Sequence, residues 1–75
     1  MRLTLAGLPE GGRAVICGLI SVGDIRQRLQ DIGLIPGTRV ECVRKSPLGD
    51  PAAYLIRGAV IAIRGRDAEG ILIAE

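Results

Sequence analysis

Residues 28–37 read RLQDIGLIPG, a stretch that ends a helix and starts a strand. Gly33 suits the position just past a helix, where the backbone turns left-handed and a Cβ is penalised. Counting back makes Ile32 the C-cap, and a Schellman cap then brings Leu34 against Leu29. Pro36 has no N–H with which to continue a helix. The run Ile35-Pro36-Gly37-Thr38 fits a type II turn, with glycine at the position that needs positive φ. Such an exit is rigid, so it aims the strand that begins at Arg39.

Upstream, Val22, Ile25, Leu29 and Ile32 recur at three- and four-residue spacing, which predicts a helix over about residues 22–32 with one apolar face. Ser21 and Asp24 resemble a capping box, and Asp24 with Arg28 makes an i,i+4 ion pair. Earlier still, Leu3, Leu5 and Leu8 lead into a turn at Pro9-Glu10-Gly11-Gly12, with proline read at its second position, and then a strand from Ala14 to Ile20. Downstream, RVECVRK places Val40 and Cys42 on one face, while Val43 falls out of step and leaves the buried face of the whole run unassigned. Tyr54–Arg57 and Val60–Arg64 read as strands joined at Gly58-Ala59, glycine first in a type II′ loop. In the second of these, Ile61 and Ile63 face one way and Val60, Ala62 and Arg64 the other. A polar turn at residues 65–70 precedes the last strand, ILIA. Five short strands and one inserted short helix predict a mainly β protein, a single domain over residues 1–75 bent into a small barrel.

Composition narrows the function classes. A chain of 75 residues forms one domain, and its 48% apolar content is nearly all aliphatic because Tyr54 is the only aromatic. Ten basic against eight acidic residues give a net charge of +2, too small for a strong nucleic-acid footprint. A stacking platform for bases or a proline-reading groove needs more aromatics than Tyr54 alone. Histidine is absent, and neither a CxxC pair nor clustered carboxylates occur. The expectation is therefore no enzyme, no metal site and no cofactor. Cys17 and Cys42 sit in apolar runs and read as small core residues rather than a disulfide. No run approaches the roughly 20 apolar residues of a membrane span, and the start lacks the apolar core of a signal peptide. A cytoplasmic protein that is not membrane-embedded is expected.

The segment SPLGDPA, residues 46–52, stands where a two-residue hairpin turn would suffice. Pro47 and Pro51 restrict φ and cannot donate to a ladder, Gly49-Asp50 supplies the turn, and Asp50 can close an Asx turn. The loop is stiff, and Leu48 has two readings. It is a preorganised apolar anchor for a partner, or it folds back to plug the end of the barrel. Arg28 has three: it lies with Arg26 on a solvated helix face, paired with Asp24 or Asp31; it hydrogen-bonds the backbone of the Pro-Gly exit; or it meets an acidic partner surface. Arg44, Lys45, Arg57, Arg64 and Arg66 are spread along the strands as a basic edge, which also discourages strand-to-strand aggregation.

Three of these segments together resemble the FeoA family, the small cytosolic component of bacterial ferrous-iron uptake. Arg28-Leu29, Gly33-Leu34 and Pro36-Gly37 match its RL-x-x-hG(L/M)-x-PG motif, where h is apolar. Pro47-Leu48-Gly49-Asp50-Pro51 matches its APLGDP loop, with Ser46 in place of the usual alanine. Arg57-Gly58, Ile61, Ile63 and Arg64 match RG-x-x-(I/L)-x-(I/L)R, and the register holds over residues 3–73. The resemblance implies an SH3-like β-barrel and a non-catalytic role. The implied partner is the membrane Fe(II) transporter that carries a cytosolic GTPase domain, with the Leu48 loop and Arg28 as candidate contacts. Leu29, Gly33, Leu34, Pro36, Gly37, Arg57 and Gly58 would be its structural motif. The rival readings are a nucleic-acid-binding small barrel, or a regulatory SH3-like module of an iron-dependent regulator.

Overall fold

The helix exit forms as its residues dictate. In the computed structural model, which describes residues 3–74, helix α1 spans Gly23–Asp31 with Ile32 as its C-cap. Gly33 takes φ +104° and donates to the Gln30 carbonyl at 3.0 Å, while Leu34 N–H donates to Leu29 O at 3.0 Å. These two bonds are the Schellman pair. Leu29 and Leu34 are both buried in the core, where each leucine side chain contributes about 1.5–3 kcal/mol. Thr38 N–H donates to Ile35 O at 3.1 Å and Gly37 has φ +92°, which completes the type II turn. Gly37 N–H to Ile16 O and Ile16 N–H to Thr38 O, both 2.8 Å, then stitch that turn to the neighbouring strand.

The strands are β1 (Leu3–Thr4), β2 (Arg13–Leu19), β3 (Arg39–Lys45), β4 (Ala52–Ile56), β5 (Ala59–Ile63) and β6 (Ile71–Ala74). They form one antiparallel sheet in the order β1-β6-β2-β3-β4-β5. The expected barrel is thereby corrected. A barrel needs its first and last strands to pair, yet among the described residues β1 and β5 lie at opposite edges and the sheet stays open. Strand β1 gives two residues to β6, and the chain then winds into a 3₁₀ turn at Leu5–Gly7. That leaves nothing to bridge to β5. The sheet also holds one strand more than the five expected, since β1 is too short to show alternation.

Other local readings change for identifiable reasons. Ser21 does not cap α1; the N-cap is Val22, with no side-chain bond. Ser21 instead sits against Gly70, so close that a Cβ there would meet its Oγ at 2.6 Å. The apolar face of α1 is only half used: Leu29 is buried, whereas Ile25 is 48% and Val22 79% exposed. Among the described residues Asp24 and Arg28 form no ion pair, and Gln27 reaches Asp31 instead at 2.9 Å. The first turn closes from Gly12 N–H to Pro9 O at 2.8 Å, so Pro9 is its first residue rather than its second. The β4–β5 loop is Arg57-Gly58, with φ of 52° and 86°. Two positive values define a type I′ turn, one residue earlier than expected. Residues 65–68 wind into a four-residue helix, α2 (Gly65–Ala68), because Ala68 is driven fully into the core.

Alternation and two bulges account for Cys17 and Val43. Along β2, Ala14 and Ile16 face the core, so Cys17 points outward, at the residue where the β2–β6 register shifts between Ile16 and Gly18. Cys17 is thus exposed, against the core position expected for it, while Cys42 is fully buried and both thiols are free. The β3–β4 register shifts between Cys42 and Arg44, so Val43 is the extra residue that broke the alternation.

Tyr54 lies in the middle of the core, and its hydroxyl donates to Leu5 O at 3.3 Å. Burial, seconded by the charges that Cys42 and Asp50 can carry, pushes its pKa up to about 12 from the ordinary 10.0. Burial likewise raises the Cys42 thiol. Both groups are neutral when protonated, so a raised folded pKa favours the native state fully below the unfolded value. Between about pH 10 and 12 the unfolded chain releases a tyrosine proton that the native state keeps, and stability falls with rising pH. Tyr54→Phe is expected to flatten that decline, leaving the earlier onset that Cys42 contributes; urea melts on either side of pH 10 measure both.

Gly33 also leaves room. A Cβ there would lie 2.6 Å from Arg57 Cδ and 3.5 Å from Ile56 Cγ2. Gly37 has similar φ but open space around it. Gly37→Ala is expected to cost about 1 kcal/mol for its backbone alone. Gly33→Ala should cost more, because it must also evict the Arg57 stem. Urea midpoints of the two variants, compared with wild type, measure the difference.

Candidate functional site

The loop between β3 and β4 is built as a tethered arch. Ser46 N–H donates to Pro51 O at 3.3 Å and Gly49 N–H to Ser46 O at 2.7 Å, which closes a turn around Pro47 and Leu48. Asp50 does not form the local Asx turn expected of it. Its Oδ1 accepts from Gly65 N–H at 2.8 Å, fifteen residues along the chain, and so caps the start of α2. Pro47, Gly49 and Pro51 are exposed around it. Leu48 is 94% exposed, which removes the plug reading and leaves a lone apolar side chain at the tip. Beneath it, Ser46 Oγ is buried with no hydrogen-bond partner among the described residues.

At the far end of the β3–β4 hairpin a groove of about 460 Å³ crosses the outer face of the sheet. The registers Val15↔Arg39, Arg13↔Glu41 and Glu41↔Leu55 bring Arg13, Val15, Arg39, Glu41 and Leu55 onto that one face. Arg57 and Gly58 close it at the β4–β5 turn. A shallower extension runs along Ile35, Pro36, Gly37 and Thr38, again bounded by Arg39 and Arg57. Arg13 pairs with Glu41 at 3.2 Å. Among the described residues, Arg39 and Arg57 have no carboxylate partner.

The sequence-derived candidates therefore separate. The residues at 47–51 share the arch, while Pro36, Gly37, Arg57 and Gly58 line the groove and its extension, and Leu29, Gly33 and Leu34 lie beneath as its support. Arg28 joins neither group: it is exposed, and among the described residues its side chain makes no hydrogen bond to the Pro-Gly exit. The backbone-binding role falls to Arg26, whose Nη1 donates to Leu19 O at 3.0 Å. Sequence reasoning missed Arg13, Val15, Arg39 and Leu55 as groove residues. Their outward parity could be read from alternation, but their meeting depends on strand register. Among the described residues, no three of His, Cys, Asp and Glu gather as metal ligands, and no helix is long and apolar enough to cross a membrane.

Fold and surface define a small antiparallel-sheet domain with two helical insertions, whose unusual features all lie on the outside. The FeoA domain family model matches residues 3–75, and the chain belongs to that family. It is therefore a non-catalytic domain, as the residue content anticipated. It is 32% identical over 69 residues to the Fe(2+) transport protein A/Fe(2+) transporter FeoB fusion protein of Porphyromonas gingivalis. The match covers 92% of this chain but spans only 8% of that relative. The solution structure of the FeoA protein from Chlorobium tepidum superposes with TM-score 0.88 at 34% identity, over 95% of this chain and 68% of that one. A FeoA-like protein from Clostridium acetobutylicum gives TM-score 0.89 at 26% identity, over 97% and 85%.

The orphaned Ser46 hydroxyl bears on the rigidity of the arch. A buried hydroxyl without a partner forfeits its hydration for nothing in return. Ser46→Ala is expected to raise the urea midpoint, with a gain of about 1 kcal/mol. An unchanged or lower midpoint would mean that water satisfies the hydroxyl.

Proposed function

We propose that this chain is an accessory protein of ferrous-iron uptake that acts in the cytoplasm. It docks on the cytosolic region of a membrane transporter whose cargo is Fe(II) and which carries a GTPase domain. The observation that carries this reading is the Porphyromonas gingivalis relative, where a segment like this chain shares one polypeptide with an Fe(2+) transporter. Fusion holds two partners at high effective concentration, which is useful when they touch during function.

The contact assigned to this chain is the arch with Leu48 at its tip. Two prolines, two backbone bonds and the Asp50 tether fix the loop before any partner arrives, so little entropy is lost on binding. A single well-placed apolar side chain can dominate a small interface while its neighbours stay near neutral. Leu48→Glu is expected to leave the melting transition close to wild type, because the side chain touches water and not core. It should abolish co-purification with the detergent-solubilised transporter and rescue of iron-limited growth. A folded Leu48→Glu protein that co-purifies like wild type would overturn the docking role of the arch.

A further inference from the structure

We propose that the groove across β2, β3 and β4 is a second binding site, which takes an extended acidic peptide segment carrying an apolar residue. The site is separate from the Leu48 arch. Lys45↔Ala52 marks one end of the β3–β4 pairing and Val40↔Ile56 the other, roughly 16 Å away at about 3.3 Å per residue.

Charge complementarity selects the occupant. Three guanidinium groups, Arg13, Arg39 and Arg57, stand around the groove against one carboxylate, Glu41. Arg13 already holds that carboxylate. Among the described residues, Arg39 and Arg57 are left with forks of unused donors, whose best complement is a carboxylate gripped through two parallel hydrogen bonds. The floor between them is apolar: Val15 and Leu55 are each more than a third exposed there. A ligand that fits must therefore present carboxylates at both sides and an aliphatic group between. In an extended peptide, side chains two apart share one face, so an apolar residue with acidic residues two positions before and two after it supplies this pattern.

Arg57 is also set in place at some cost. Its backbone holds φ 52°, a region that favours glycine, and its stem lies over Gly33 in space that any Cβ would occupy. An arginine needed only for solubility gains nothing from this. An arginine that must face the groove does.

The test is a titration of the ¹⁵N-labelled full chain with a five-residue acidic peptide centred on leucine, EDLDE, followed by amide shifts. The controls are KKLKK and a mixed-sequence single-stranded oligonucleotide. Saturable shifts confined to residues 13–15, 39–41 and 55–58 are expected, with no response to KKLKK. The Arg39→Gln/Arg57→Gln double variant should bind EDLDE about tenfold more weakly or worse. Arg39→Lys/Arg57→Lys, which keeps charge but loses the fork, should fall between. Should the glutamine pair unfold the chain, the lysine pair alone decides, with weaker binding expected than in wild type. No shift at millimolar EDLDE, shifts centred on residues 46–51, or equal binding by the folded variants would each overturn the proposal. Oligonucleotide binding at these residues tighter than that of EDLDE would overturn it too, giving the groove to nucleic acid.

Discussion

The empty space above Gly33 joins two parts of the molecule that are distant in sequence. A glycine there satisfies the helix cap, because its backbone reaches φ +104° without a steric penalty. The same missing side chain admits the stem of Arg57, which arrives from the other end of β4. One atom's absence thus serves a local rule and a tertiary contact together. The exit of α1 depends on the first and the shape of the outer groove on the second.

The β3–β4 hairpin then acts as the frame between two surfaces. At one end the chain could have turned in two residues and instead builds an arch fixed by Asp50 to α2. At the other the type I′ turn of Arg57-Gly58 stands beside the exit of α1. Both ends are anchored by contacts far apart in sequence, while the strands between are secured by the buried Val40, Cys42, Tyr54 and Ile56. Rigid elements place surface groups more reproducibly than free loops do, at a lower entropic cost when a partner binds.

The sequence disclosed most where a single residue type has a single physical solution. Gly33, Pro36 and Gly37 specified the cap and the turn because few other conformations accept them, and Ile61 and Ile63 declared their parity by strict alternation. It disclosed least where a long-range partner decides. Nothing local to Asp50 points to Gly65, and nothing near Ser21 says that Gly70 will occupy its surroundings. The open sheet escaped for a related reason. Strand count and turn spacing are the same for a closed barrel and an open sheet, and only whether the edge strands β1 and β5 pair tells them apart. The arch was legible as a stiff loop with an apolar residue at its tip. The groove was not, since Arg13, Arg39 and Leu55 become neighbours only through register.

Tyr54 has a consequence for how this protein reports on itself. It is the sole aromatic residue of a chain that lacks tryptophan and phenylalanine, and it is held almost wholly out of water. Every near-ultraviolet signal of the polypeptide therefore arises from one ring with one environment. A state that keeps its secondary structure but loosens its interior loses near-ultraviolet ellipticity while the far-ultraviolet spectrum persists. Here that loss would be read from a single address in the core, on β4 beside the edge strand β5, with no second chromophore to average against it.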